Sequence, residues 1–156
     1  MKIVIETIEN LTDDEIIIRC KKPTKAIQRI YQMIADEMSL TPNLVFYKEN
    51  EEYYFPLQDV LFFETSGDNV YAHTADDAFR IKFRLYELEE MLPGYFVRVA
   101  KSTIINIKHV LSINRNLTSS SLVQFRDSHK KVYVSRLYYQ TLAQKLNERR
   151  HYYEDE

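Results

Sequence analysis

A chain of 156 residues with 45% hydrophobic and 28% charged side chains has the length and balance of one globular domain with a small extension, which excludes a disordered or disulfide-framed protein. No run approaches the roughly 18 apolar residues of a membrane span, and Met1 to Asn10 alternates charge with β-branched residues instead of forming a leader core, so a cytoplasmic location is expected. The net charge of −2 argues against nucleic acid on average, but residues 1–56 carry a net −3 while residues 98–150 hold eleven Lys/Arg against Asp127 and Glu148, a net +9.

In chain order, Lys2 to Ile8 has a strand period and Asn10 to Asp14 reads as a turn. Glu15 to Cys20, with three successive isoleucines, makes a second strand able to close a hairpin with the first. Pro23 and Thr24 start a helix whose Ile27, Ile30, Tyr31, Ile34 and Met38 share one stripe, and Leu40 to Asn43 ends it at Pro42. Leu44 to Tyr47 and Tyr53 to Leu57 complete a small β-β-α-β-β unit over 1–56. Cys20, the single cysteine, excludes an internal disulfide and is expected in or near a core.

Beyond Pro56 to Asp59 the pattern changes to short strands. Val60 to Thr65, Asn69 to Thr74 and Ala78 to Phe83 are separated by the turn residues Gly67-Asp68 and Asp76-Asp77. A brief helix over Leu85 to Leu92 stops at Pro93-Gly94. Then follow a strand at Phe96 to Val99, a loop, and strands at Val110 to Asn114, Ser121 to Arg126 and Lys131 to Val134. A last helix, N-capped by Ser135, runs through Leu146 with Tyr138, Leu142 and Leu146 on one side. The expected fold class is α+β, with a mostly antiparallel-β domain over 57–148 and a charged tail over 149–156.

Catalytic chemistry is missing. With Gly67 and Gly94 as the sole glycines, no phosphate-cradling loop can be written, and His73, His109, His129 and His151 have no helix-face metal spacing with one another or with Cys20. Ser119 to Ser121 lies in no nucleophile elbow, and Asp13-Asp14 and Glu89-Glu90 are adjacent solvated carboxylates. No enzyme, metal or cofactor is expected.

The informative constellation is Tyr95-Phe96-Val97-Arg98-Val99-Ala100-Lys101-Ser102-Thr103-Ile104-Ile105-Asn106-Ile107. Its apolar positions can anchor a loop while Arg98, Lys101, Ser102 and Thr103 present donors, and base readout needs side chains held at fixed positions. Val134-Ser135-Arg136 adds a cation at a helix start, where free amides also favour phosphate. The residues alone leave a second reading open, in which Arg98 and Arg136 pair with acids of the fold and Lys101 is a surface lysine.

These motifs resemble the LytTR DNA-binding family. That family has a strand ending in an acid, here Leu61-Phe62-Phe63-Glu64, then Arg-x-x-[Arg/Lys]-Ser with an apolar pair and Asn, here Arg98 to Asn106. A closing Val-Ser-Arg follows, here Val134 to Arg136, and Leu88 to Pro93 is correctly interposed. The resemblance spans 57–146. It departs at Ala100-Lys101, where a His-Arg pair is usual and lysine lacks the planar fork for bidentate readout.

The resemblance implies sequence-specific binding of double-stranded DNA by a transcription regulator, with loops entering successive major grooves. Lys101 is then the foremost base contact, supported by Ser102, Arg98, Arg136, Thr103, Asn69 and Lys108. Asn106 is expected to bond buried backbone, and Glu64 to accept from an arginine. A homodimer on a repeated promoter site is implied. The short first unit, too small for a phosphoacceptor receiver, resembles a subgroup encoded beside a small integral-membrane inhibitor protein. The alternative is a protein-interaction module or adaptor that holds such a membrane partner through residues 1–56 without reading DNA.

Overall fold

The computed structural model describes residues 2–12, 15–38 and 44–154, and their backbone divides into two units, Met1–Met38 and Ser39–Glu156. The calls for Asp13-Asp14 in the first turn, Leu40 to Asn43 as helix stop, and Asp155 and Glu156 of the tail lie outside the described residues. Among the described residues, no helix is long and apolar enough to cross a membrane.

In the first unit the helix forms as expected, as α1 (Lys25–Met38), with Thr24 Oγ1 accepting from the Ile27 N–H at 3.3 Å. The two expected strands do not form. Lys2 to Ile8 and Glu15 to Cys20 are chain without a ladder, and Cys20 is exposed, not packed. A lone two-stranded ribbon with no face to pack on is marginal in water, and this unit has no buried residue among residues 2–12 and 15–35.

The next two strands also change allegiance. β1 (Phe46–Lys48) and β2 (Glu51–Tyr53) close a hairpin through Glu49, but β1 pairs onward with β5 (Ala78–Ile81) through Tyr47 and Arg80. The β-β-α-β-β unit therefore does not exist, and the division lies after Met38 and not at residue 56. The reason is apolar: Phe46 is fully buried, stacks on Phe55 at 3.9 Å and meets Phe79 edge-on, so its strand completes the larger core.

That larger unit is built on a seven-stranded antiparallel sheet in the order β2-β1-β5-β4-β3-β7-β6, with β3 (Phe62–Ser66), β4 (Asn69–His73), β6 (Phe96–Ala100) and β7 (Thr103–Asn106). A second sheet, β10-β9-β8, comprises β8 (Val110–Asn114), β9 (Ser121–Phe125) and β10 (Lys131–Val134). Helix α2 (Leu85–Met91) puts Leu85 and Leu88 against Phe63, Val70, Phe79 and Ile104 on one face of the large sheet. The opposite face packs Phe62, Val97, Val99 and Ile105 against Val123, Phe125, Val132 and Val134 of the small sheet and against Leu142 of α3 (Arg136–Glu154). Helix α3 runs past its expected end at Leu146 into the segment expected as a tail.

Strand β7 was expected to be loop. All four of its residues, Thr103 to Asn106, are buried, because β7 lies between β3 and β6 with a core on each face. A strand covered on both sides loses the in–out alternation that marks strands in sequence.

His73 shows how tightly the two sheets close. Its ring stacks on Phe62 at 4.2 Å, and Nδ1 lies 3.3 Å from Lys130 Nζ. Burial first, and the Lys130 charge second, push it from an ordinary 6.5 down to about 4. The folded state holds His73 neutral while the unfolded chain protonates near 6.5, so stability present above that pH drains away as pH falls towards 4. The contribution is about 2 to 3 kcal/mol. Thermal unfolding of wild type and His73→Gln at pH 7 and 5 checks this, since Lys130 and Asp77 remain in both proteins. Equal pH slopes in the two would rule it out.

Candidate nucleic-acid interface

Three turns converge at one end of the large sheet. The first joins β3 to β4 in two residues, with Ser66 paired to Asn69; Gly67 has φ +60° while Asp68 is not left-handed, the pattern of a II′ turn that places glycine first. The second, Lys101-Ser102, joins β6 to β7. It is tied to the first where the Thr65 N–H donates to the Ser102 carbonyl at 2.9 Å. The third is the entry to α3, held where the Ser135 N–H donates to the Val99 carbonyl at 2.8 Å.

Register places the first two turns and the end of β5 together. Glu64 faces Thr103 across β3 and β7, and Val70 faces Ile81 across β4 and β5, so Asn69, Ser102 and Lys82 all lie towards this end. Lys101, Ser102 and Arg136 are exposed and Asn69 is half-exposed. Their turns are pinned through the backbone while Lys101 and Arg136 lie exposed, which suits groove contacts with few rotamers left to freeze.

Arg98, expected as a DNA contact, is engaged within the fold. Its Nε donates to the Ala100 carbonyl at 2.7 Å, its Nη1 to Glu89 Oε2 at 2.7 Å, and its Nη2 to the Lys101 carbonyl. The guanidinium therefore clamps the Lys101 turn from behind, next to the irregularity in β6 between Arg98 and Ala100. The acid it meets is Glu89 of α2 and not Glu64. This partly fulfils the reading in which Arg98 pairs with an acid of the fold.

Two further expected contacts are placed elsewhere. Thr103 is 5% exposed, with its hydroxyl 3.3 Å from that of Ser102, so it supports the turn from below. Lys108 sits beyond the other end of β7, in the 3-10 turn Ile107–His109, with its ammonium 4.1 Å above the Tyr95 ring. Asn106 is fully buried. Its Nδ2 donates to the Val60 carbonyl and its Oδ1 accepts from the Lys108 N–H, both at 3.0 Å.

The +9 stretch is likewise not one face. Arg98 is turned inward, Arg115 lies over Tyr139 at 4.7 Å, and Lys130 is half-buried and donates to the Asp77 carbonyl. Cations that the charge count overlooked instead flank the turns. Arg80 is exposed beside Tyr71 and Tyr47, and Lys82 lies 4.4 Å over the Tyr47 ring. Their signal in sequence is the alternation Phe79-Arg80-Ile81-Lys82, which puts both on one face of a strand.

Comparison with known proteins agrees with this architecture. The profile of the LytTr DNA-binding domain matches residues 50–147. An HTH-type transcriptional regulator of Staphylococcus aureus strain NCTC 8325 is 30% identical over 147 residues, covering 94% of this chain and 99% of the relative. One from strain MRSA252 is 29% identical with the same coverage. Among solved structures, the LytTr DNA-binding domain of a methyl-accepting/DNA response regulator from Bacillus cereus aligns with a TM-score of 0.60 and 24% identity over 66% of this chain and 95% of that one, which speaks for the fold. Among the described residues every α-helix is followed or preceded by strands, so no two consecutive helices make a helix-turn-helix here. The match covers most of the chain and falls on the unit that carries the three turns: the protein belongs to the LytTR DNA-binding family.

Proposed function

We propose that this protein is a bacterial transcription regulator that acts in the cytoplasm and reads a repeated promoter site in double-stranded DNA as two protomers. The observation that carries the reading is the pinning of three turns at one sheet end, with Lys101, Ser102 and Arg136 exposed on them and Asn69 half-exposed. Lys101 and Asn69 are suited to base edges in the major groove. Arg136, at the start of α3, is suited to phosphate, as are Lys82 and Arg80 on the flank. Arg98 and Thr103 act through the turn they support. The relatives' description as transcriptional regulators is consistent with this role.

Footprinting on the DNA upstream of its own gene, with competitor DNA present, tests the reading. Lys101→Ala should weaken specific binding by about 1 to 3 kcal/mol and leave binding to random DNA almost unchanged. Equal losses on both would make Lys101 a phosphate clamp.

A second reading is favoured by the exposed apolar residues of the first unit, such as Ile3, Ile5 and Ile16. In it the chain is an interaction module restrained by a small membrane protein. Retained binding of such a partner with no footprint anywhere upstream would select it.

A further inference from the structure

The first unit has apolar residues that the unit itself leaves uncovered. Ile3 is 90% exposed, Ile5 94%, Ile16 60% and Ile17 58%. A segment below about 40 residues seldom supplies its own core and is usually completed by oligomerisation, a metal or disulfides. Cys20 is the sole cysteine, and among the described residues no group of three or more His, Cys, Asp or Glu could hold a metal. The S. aureus relatives match 94% of the chain, so this unit is shared with them and is not a stray extension.

The charge pattern says what would cover it. Along Asp13-Asp14-Glu15-Ile16-Ile17-Ile18-Arg19-Cys20-Lys21, alternate residues read acid, acid, Ile, base, base at 13, 15, 17, 19 and 21. In a strand these five share one face. Laid antiparallel on itself about Ile17, the segment sets Glu15 against Arg19, and by symmetry does so twice. On the other face Ile16 meets Ile18. A parallel copy in register would set acid on acid and base on base, and directly opposed like charges destabilise a ladder. The self-complementarity is that of an isologous two-fold contact, in which residue i meets j and j meets i. Among the described residues, 15–21 belong to no ladder, so the backbone of this β-branched stretch is available to pair with another strand.

We infer that two copies of this chain dimerise by antiparallel pairing of residues 15–19 about a two-fold axis at Ile17. This locates the contact for the two-protomer reading above and rests on that reading, not on the DNA contacts.

The test uses the full chain. In a Cys20→Ser background, Ile17→Cys should form a disulfide-linked dimer under mild oxidation, because the two Cα atoms on the axis fall within the bridging range of about 4.4 to 6.8 Å. Lys21→Cys in the same background should not, since its two copies lie about eight residues, or roughly 26 Å, apart. Sedimentation should show Arg19→Glu weakening the dimer about tenfold by turning two attractive pairs repulsive. The double variant Glu15→Arg/Arg19→Glu should recover it. A monomer at every concentration, cross-linking through residue 21 but not 17, or no loss in Arg19→Glu would each overturn the pairing. A monomer that still footprints its promoter removes the pairing alone, whereas a dimer with no footprint removes the DNA reading.

Discussion

Raising salt from about 50 to about 200 mM should weaken binding to the cognate promoter about a thousandfold if about six phosphates are contacted, because each neutralised phosphate releases counterion. The structure offers a source for such a number. Lys82 and Arg136 are exposed around the end proposed to meet DNA, and Arg80 is exposed two residues before Lys82. Three such contacts per protomer on two protomers would make six. Each cation removed should flatten the slope of log affinity against log salt, so Lys82→Ala in a dimer should reduce it by about 2. Arg98→Met should leave that slope unchanged while it loosens the Lys101 turn, as its guanidinium is already engaged by Glu89 and two carbonyls. A flat salt response on a fragment that footprints would contradict the proposed phosphate contacts.

Asn106→Ala should destabilise the folded chain by about 2 to 4 kcal/mol, since it strands the Val60 carbonyl and the Lys108 N–H and each buried group left unpaired costs about 1 to 3 kcal/mol. Asn106→Asp keeps the shape but turns the donor towards Val60 into an acceptor and buries a charge, so it should be no better tolerated. Urea midpoints of the three proteins measure this. A loss under about 0.5 kcal/mol in both variants would show the site to be tolerant, as ordinary surface positions are. The position matters to function because Asn106 closes the far end of β7, whose near end carries Lys101 and Ser102.

Much of the fold was legible because strands with one open face alternate. Phe79 and Ile81 are buried with Arg80 exposed between them, as the sequence period suggests. Gly67-Asp68 announced a tight turn, and the turn is there. The candidate site was legible in its motifs and less so in its roles. Lys101 and Ser102 are exposed on a pinned turn as expected, yet the same motif assigns Arg98 and Thr103 to DNA when their contacts are internal. Nothing in a one-dimensional pattern distinguishes an arginine that faces solvent from one that finds Glu89 nine positions earlier on a helix.

Taken alone, the order of residues determined the class of fold, the family and the segments that carry donors, because turn chemistry, period-two alternation and short motifs are local properties. Tertiary structure decided the rest. It made Thr103 to Asn106 a strand by covering it on both faces, moved Phe46 and its hairpin from the first unit into the main core, and dispersed a basic stretch that looks like one face in sequence. Each of those outcomes depends on what lies across the sheet, and burial against a distant partner is the quantity a local pattern does not contain.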